Sequence, residues 1–303
     1  MKISVSILLI VIVLNILQSC SGNSTSKEEY GRGKVSLYIE DSYKPLFETS
    51  IHTFEGQFPK AKIEANFCTE LTAIEALFAN KTKTIFISRD LTKQEKAKLL
   101  TAQVEVRSEK IADEAVALIV HLDNKDTCMS VSQLLEILKG KTINWPTMKN
   151  KIDVVYDNQN SANFNYLQNL TKNSSLPANV FAVKSNEEVI KYVKEHPNAI
   201  GVIGVNWISD EDDPKVLDFL DGIRVISLSS SDKGEYYKPF QAYIYDKKYP
   251  LTRELWSINK AAKQGINSSF VNFLTGEKGQ LIIQKSSLIP ATAQVRMIQI
   301  KVE

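Results

Sequence analysis

Short runs of apolar and β-branched residues alternate along this chain with segments in which apolar residues recur at helical spacing. The first pair is a strand predicted at residues 35–39 and a helix predicted from about Pro45, a residue that suits the first helical turn. The apolar face of that helix comprises Phe47, Ile51, Phe54 and Phe58. Strands that alternate with amphipathic helices in this way are typical of an α/β protein.

The same alternation predicts elements along the rest of the chain. Strands are predicted at residues 62–66, 84–88, 115–120, 152–156, 199–205, 225–228 and 241–245. The helix after the second strand is expected to bury one face, formed by Leu71, Ile74, Leu77 and Phe78. Thr92 and Ser185 each precede a glutamate by three residues, which predicts two capped helix starts. A last helical stretch is predicted over residues 268–285 with an interruption at Gly276.

Three of the predicted strands end in a polar corner directly before a helix. The corners are residues 40–42 (Glu-Asp-Ser), 68–70 (Cys-Thr-Glu) and 157–161 (Asp-Asn-Gln-Asn-Ser). A helix N-terminus has unsatisfied N–H donors and a positive dipole end, so it binds small anions. Further donors at these corners are Ser42, Thr69, Asn158, Asn160 and Ser161. These residue types are also common N-caps, so the pattern leaves open whether the corners converge on a ligand.

The N-terminus carries the features of an export signal. Lys2 precedes an apolar stretch at residues 5–17, which is too short to span a bilayer and predicts a cleaved leader over residues 1–19. Leu17-Gln18-Ser19-Cys20 resembles the bacterial lipobox, in which the cysteine thiol receives lipid. An ordinary secretory signal with an incidental cysteine is the alternative. Residues 20–33 have too little apolar surface to fold and predict a lipidated tether.

Composition excludes several classes of function. An apolar fraction of 43% allows a sizeable core, whereas a formal charge of +2 gives no field that favours nucleic acid or an acidic membrane. The three cysteines and three histidines show no metal, cofactor or triad spacing. Pairing of Cys68 with Cys128 stays open. Acid–base catalysis by Asp41 and Glu70 has little support, so no enzyme is predicted.

Three further features receive structural interpretations. The acidic run at residues 210–213 is expected to be a solvated loop. Trp207 follows a predicted buried strand and is assigned to the core. Arg253 is expected to form a surface salt bridge, with contact to a partner protein as the alternative.

Six segments resemble the phosphate-binding lipoproteins of high-affinity phosphate ABC importers, which belong to the periplasmic two-lobed binding-protein superfamily. They occur in the family's order and cover nearly the whole chain after the leader. The segments are ISRDLTKQEK (residues 87–96), IADEAVALIVHLDN (111–124), LLEILKGKTINW (134–145), VIKYVKEHPNAIGVIGVNW (189–207), KKYPLTRELWSIN (247–259) and FLTGEKGQLIIQKSSLIP (273–290). Residues 199–207 suggest a Bacteroidetes member.

The resemblance implies a type II periplasmic binding-protein fold, in which two α/β lobes, each a mixed sheet flanked by helices, are joined by two crossover strands. Lobe 1 would comprise about residues 34–112 and 223–303, and lobe 2 about residues 113–222. The ligand would lie in the cleft, and the hinge would close around it.

The resemblance also implies a set of ligand residues, with departures. The first loop supplies Asp41 and Ser42, the second Thr69 and Glu70, and the last Asn158, Asn160 and Ser161, but Asp157 stands where the family has arginine. Arg89 is then the candidate counter-charge, because a planar guanidinium matches a tetrahedral oxyanion. The added carboxylates would repel a phosphate dianion in a dry cleft.

The predicted function is therefore a lipid-anchored, monomeric solute-binding protein on the periplasmic face or cell envelope. It would capture a small oxyanion, phosphate first, for an ABC permease or another membrane partner. The alternative is a tethered sensor or interaction module that keeps the fold and has lost oxyanion binding.

Overall fold

In the part of the chain that the structure describes, most strands belong to one mixed sheet of ten strands. The computed structural model describes residues 30–172, 177–210, 212–260 and 265–292, so Cys20 and the predicted leader lie outside the described residues. The strands are β1 (Gly33–Glu40), β2 (Ala61–Cys68), β3 (Thr84–Ile87), β4 (Val106–His121), β5 (Cys128–Ser130), β6 (Asp153–Tyr156), β7 (Val180–Ala182), β8 (Ala199–Gly204), β9 (Ile223–Val225), β10 (Ser227–Ser229), β11 (Thr252–Lys260) and β12 (Ile289–Pro290).

Helices cover both faces of this sheet. They are α1 (Lys44–Gln57), α2 (Glu70–Phe78), α3 (Lys93–Thr101), α4 (Val131–Leu138), α5 (Ala162–Thr171), α6 (Asn186–Glu195), α7 (Pro214–Leu220), α8 (Gln241–Tyr245), α9 (Ile266–Thr275) and α10 (Glu277–Lys285). Two 3₁₀ turns, Asp41–Tyr43 and Val205–Ile208, follow β1 and β8. The capping box of Thr92 and Glu95 and the side-chain cap of Ser185 are present as predicted.

The strand order is β2-β1-β3-β11-β4-β8-β6-β7, and β9 and β12 also pair with β4. Strand β4 changes partner along its length, from β11 up to Ala115 to β8 from Val116. We call the strands on the β11 side, with β12, the first half of the sheet, and those on the β8 side, with β9, the second half. Strands β1, β2 and β3 run parallel, as do β6, β7 and β8, so carboxyl ends gather at one edge in each half.

The core sits between the sheet and its helices. Helix α1 packs Phe47 against Phe86 with 4.6 Å between ring centroids, and Phe54 against Phe270 with 5.2 Å. Residues 115–120 are fully buried, and Trp207 is also buried, as the sequence predicts. None of the helices within the described ranges combines the length and apolar character needed to cross a membrane.

The structure departs from the predicted elements in several places. The predicted strand at residues 225–228 is divided between β9 and β10. Residues 241–245 form helix α8 rather than a strand, and the side-chain amide of Gln241 donates to the carbonyls of Gln284 and Leu288. Leu71 and Phe78 are exposed, because the buried stripe of the short helix α2 is formed instead by Ala73, Ile74, Ala76 and Leu77. Strand β11 was not predicted, because polar residues occupy several of its inward positions.

Candidate functional site

The three polar corners meet at one cavity of about 170 Å³. The first two corners follow the adjacent parallel strands β1 and β2 of the first half, and the third follows β6 of the second half. Residues predicted for the site that line this cavity are Asp41, Thr69, Asn158 and Ser161, and the other lining residues are Glu40, Phe67, Cys68, Asp157 and Lys184. One water needs roughly 10–15 Å³ on this measure, so a small polyatomic ion fits.

Each corner brings a helix start to the cavity. The Thr69 hydroxyl accepts the N–H of Thr72 at 3.3 Å and caps α2, and the Ser161 hydroxyl accepts the N–H of Phe164 at 3.1 Å and caps α5. Asp41 opens the 3₁₀ turn that leads into α1. The hydroxyls therefore act as N-caps, and the helix starts also converge, which the sequence pattern alone left open.

The other four predicted ligand residues are not among the described residues that line this cavity. Arg89 is engaged by carboxylates of the protein: its Nε bonds Glu70 at 2.8 Å, and its two Nη atoms bond Glu95 at 2.8 and 3.0 Å. Ser42 is fully buried behind the first corner, and its Oγ has no hydrogen-bond partner. Asn160 is exposed, and its backbone N–H donates to the side chain of Asn158 at 3.0 Å.

Glu40, the last residue of β1, joins the first corner to the third. Its Oε2 accepts the N–H of Ser42 at 3.0 Å, and its Oε1 accepts the N–H of Ala162 at 3.3 Å. The side chain is fully buried, and burial raises the pKa of Glu40 to about 8, with Arg253 opposing this rise and Asp157 adding to it. This carboxyl group thus bonds N–H groups at two helix starts, where an external anion would bind.

Asp157 places a second buried carboxyl group at the third corner. Its Oδ1 accepts the hydroxyl of Ser161 at 2.6 Å, and its Oδ2 accepts the amide of Asn186 at 3.1 Å. Burial raises the pKa of Asp157 to about 6, although the Ser161 bond and the charge of Arg253 lower it. The carboxyl therefore accepts hydrogen bonds from two side chains inside the protein and is almost fully buried.

Arg253 on β11 is buried, so its predicted surface salt bridge is wrong. Its side chain is 3% exposed, its Nε donates to Glu114 at 2.5 Å, and its guanidinium lies 5.6 Å from the ring centroid of Tyr43. Within the described ranges, neither Nη1 nor Nη2 has a hydrogen-bond partner. One feature of the sequence could have predicted a buried ion pair. Glu114 lies inside the apolar run after residue 111, and a buried carboxylate needs a cation nearby.

A bonded network connects this ion pair to the first corner. The amide of Asn206 donates to the carbonyl of Ser42 at 2.8 Å and to Glu114 at 3.3 Å. Since both of these partners are acceptors, the orientation of the Asn206 amide is fixed by its contacts. Arg253, Glu114, Asn206 and Ser42 therefore form one network that spans both halves of the sheet.

The charges around the cavity favour proton uptake. Glu40, Asp41 and Asp157 bring three carboxyl groups to its wall, whereas Lys184 is the cationic side chain among the described lining residues. Burial raises the pKa of Asp41 as well, with Lys44 opposing. Burial and then the charges of Glu40 and Asp41 raise the pKa of the Cys68 thiol to about 12. An anion can enter such a site only if it or the carboxyl groups carry protons.

Neither a metal site nor a disulfide is found within the described ranges. No group of three or more His, Cys, Asp and Glu side chains there could hold a metal ion, and Cys68 and Cys128 are both free thiols. In the acidic run, Asp213 caps helix α7 by accepting the N–H of Lys215 at 2.9 Å. The polar side chains that line the cavity carry hydroxyl, carboxyl, amide, thiol and ammonium groups.

The raised pKa values predict that stability falls as pH rises. Glu40 moves from 4.5 to about 8, and Asp157 from 3.8 to about 6, so the folded state binds more protons than the unfolded chain within these windows. The free energy of unfolding should decrease by an amount on the order of a few kcal/mol as pH rises through 6 and then 8. Glu95, whose pKa the Arg89 bond lowers to about 2, acts oppositely and only below about pH 4.5.

Urea unfolding at a series of pH values between about 5 and 9 checks this prediction. The variant Glu40→Gln should flatten the profile between pH 6 and 8, while the slope due to Asp157 remains. A wild-type free energy of unfolding that stays constant over the whole range would contradict it.

The chain resembles known proteins over most of its length. It matches a family described as the PBP superfamily domain over residues 24–278. Phosphate-binding protein PstS of Staphylococcus aureus (strain USA300) is 24% identical over 272 residues, which cover 86% of this chain and 78% of that protein.

Two solved structures share its architecture. A phosphate ABC transporter substrate-binding protein with bound phosphate from Clostridium perfringens superposes with a TM-score of 0.72 at 22% identity, covering 86% of this chain and 100% of that one. An ABC-type phosphate transport receptor from Vibrio cholerae superposes with a TM-score of 0.64 at 19% identity, covering 85% and 100%. These likenesses confirm the predicted fold class.

Proposed function

Because this chain belongs to the PBP superfamily, we propose that it is the solute-binding protein of an ABC importer and captures a small oxyanion, with phosphate as the first candidate. The observation that carries this proposal is the convergence of three helix starts on one cavity of about 170 Å³. Helix N-termini stabilise anions through free N–H groups and the helix dipole. Lys184 at the same cavity adds a positive charge.

The names of the relatives support phosphate as the ligand and an ABC permease as the partner. The relative from Staphylococcus aureus is a phosphate-binding protein, and the structure from Clostridium perfringens contains phosphate. Phosphate also suits the carboxyl groups of this site. A protonated phosphate oxygen can donate a hydrogen bond to a carboxylate, and a protonated carboxyl can donate to a phosphate oxygen.

We also propose the location and lobe structure that the sequence predicts. Lipid on Cys20 would hold the protein on the periplasmic face or cell envelope. Residues 21–33 are the predicted tether, but Gly31 donates its N–H to Ser269 and β1 begins at Gly33, so the tether would end before Tyr30. The two lobes would comprise residues 34–112 with 223–303, and residues 113–222, except that β9 pairs with β4 in the second half of the sheet, so the second boundary would lie after Val225. The change of partner in β4 between Ala115 and Val116 supports a boundary there. Monomeric state and a Bacteroidetes origin stay predictions, and the relatives are transport proteins rather than enzymes.

A thermal-shift screen of the purified protein tests the proposed function. The ligands are phosphate, arsenate, sulfate, molybdate and simple organic acids, each near pH 6, where Glu40 is largely protonated and Asp157 is about half protonated. A ligand that binds only the folded state stabilises it by mass action, by about 3 kcal/mol when the ligand concentration is a hundred times its Kd. This added stability raises the melting midpoint. Phosphate should give the largest shift. No shift with any oxyanion would reject the proposal.

One observation favours the alternative of a sensor or interaction module. The carboxyl group of Glu40 already accepts N–H groups at two of the three corners, so a residue of the chain can take the place of an anion. In a sensor or interaction module, the Glu40 carboxyl would keep these N–H groups at all times. We call such a protein, whose own carboxyl group fills the anion site, a closed module. The screen separates the two functions, because a closed module gives no shift with any oxyanion and unchanged melting at every ligand concentration.

A further inference from the structure

The buried guanidinium of Arg253 has hydrogen-bond donors that the protein does not use. Its side chain is 3% exposed, Glu114 bonds only the Nε, and both Nη atoms are buried without a partner among the residues that the structure describes. An unsatisfied charged donor in the interior is costly, and Arg–carboxylate pairs often use two parallel bonds. The four unused N–H groups therefore call for an acceptor that the protein itself does not supply.

A second unused donor belongs to the same network. The Ser42 hydroxyl is fully buried and has no partner, and the carbonyl of Ser42 is bonded to the Asn206 amide that also contacts Glu114. The guanidinium lies over the ring of Tyr43, the residue after Ser42. Ser42 of the first corner and Arg253, which lies against the next residue, thus both carry donors without a partner among the described residues.

Glu40 carries a buried carboxyl group beside Ser42, the residue with the second unused donor. Its carboxyl accepts the N–H of Ser42 from the first half and the N–H of Ala162 from the second half. Arg253 exerts the strongest charge effect of any residue on Glu40, and it also acts on Asp157. A carboxylate and a phosphate share the same hydrogen-bonding chemistry, so Glu40 resembles a bound oxyanion in charge and contacts.

We propose that Arg253 is the cationic ligand residue of this protein: its Nη1 and Nη2 bind a tetrahedral oxyanion that displaces the Glu40 carboxyl from the N–H groups of Ser42 and Ala162. This inference rests on the proposed function and names the residue that replaces the arginine missing at position 157. Glu114 holds the guanidinium through Nε, which leaves its planar fork for the ligand. Ser42 adds its hydroxyl, and the displaced Glu40 carboxyl stays at the wall of the cavity, which it already lines.

Titration calorimetry with inorganic phosphate near pH 6 tests the role of Arg253. The variant Arg253→Lys keeps the charge for Glu114 but loses the fork, and the double variant Glu114→Gln with Arg253→Gln removes both charges together. Phosphate affinity should fall by about 100-fold or more in each variant, because a buried charge-assisted contact is lost. The matched control is Arg89→Lys, where both Nη atoms already bond Glu95 and affinity should change by less than about threefold.

The outcomes separate this inference from the proposed function. Absence of phosphate binding by the wild-type protein rejects the proposed function and the role of Arg253 with it. Binding by the wild type and equal binding by both Arg253 variants rejects Arg253 alone. If either variant fails to melt cooperatively, nitrogen NMR of the arginine side chains in the wild-type protein tests whether Arg253 binds phosphate. The Nη resonances of one guanidinium should shift on addition of phosphate, and unchanged arginine resonances in a phosphate-saturated sample overturn the assignment.

Discussion

Replacing Glu40 with glutamine is expected to strengthen phosphate binding roughly 100-fold near pH 9. Above about pH 8 the buried carboxyl of Glu40 is ionised and repels an anion that approaches the N–H groups of Ser42 and Ala162. One unit charge at about 5 Å contributes roughly 3 kcal/mol at an effective dielectric constant of about 20. Glutamine keeps the size of the side chain and one acceptor but removes the charge. Near pH 6, where Glu40 is protonated, the two proteins should bind phosphate about equally.

Calorimetric titration of the wild-type protein and Glu40→Gln at both pH values measures this difference. Because the two proteins are compared at the same pH, the protonation state of phosphate is the same for both and does not affect the ratio of their dissociation constants. The matched control is Glu64→Gln, which removes the same charge from an exposed side chain that pairs with Lys34 at 3.1 Å. Equal dissociation constants for the wild type and Glu40→Gln near pH 9 would show that Glu40 does not compete with the ligand.

Replacing Glu114 with alanine is expected to lower the free energy of unfolding by about 3–5 kcal/mol, because it leaves the buried charge of Arg253 without a counter-ion. The variant also removes the acceptor that Asn206 uses at 3.3 Å. Replacing both residues with methionine should restore most of the lost stability, since no unpaired charge then remains. The double methionine variant should still fail to bind phosphate, because Arg253 is gone.

Urea denaturation of these variants measures the effect. The control is Glu254→Ala, at the neighbouring position on β11, where the carboxylate is 45% exposed and bonds Lys110 at 3.0 Å. A half-exposed pair contributes at most about 1 kcal/mol. The prediction is contradicted if Glu114→Ala loses no more stability than Glu254→Ala.

The elements of this fold follow from local sequence wherever the inward positions are apolar. Residues 115–120 are apolar throughout and become the fully buried part of β4, and the Thr92–Glu95 box opens α3 where predicted. Strand β11 breaks this rule, because Arg253, Ser257 and Asn259 occupy inward positions and hide the period of two. The buried charge of Arg253 on β11 is explained only by the tertiary structure, in which β4 places Glu114 opposite it.

The candidate site follows from sequence only in part, for a related reason. Strand ends and capping residues predict the three corners, because they depend on residues close in the chain. The contacts that set the charge of the site join residues far apart, such as Glu40 with Ala162 and Arg253 with Glu114. Arg89 was predicted as the counter-charge from its neighbours in sequence, yet the same neighbourhood supplies Glu95, which occupies both its Nη atoms.

Crystals of the protein grown with phosphate near pH 6 would show whether an oxyanion displaces Glu40 from the three corners. We expect density for one tetrahedral anion where the three corners meet. This anion should be bonded to the N–H groups of Ser42 and Ala162, and the Glu40 carboxyl should be displaced from both. Glu40 still bonded to both N–H groups, with no anion at the corners under saturating phosphate, would contradict it. The chain would then be a closed member of its superfamily whose own carboxyl group fills the binding site.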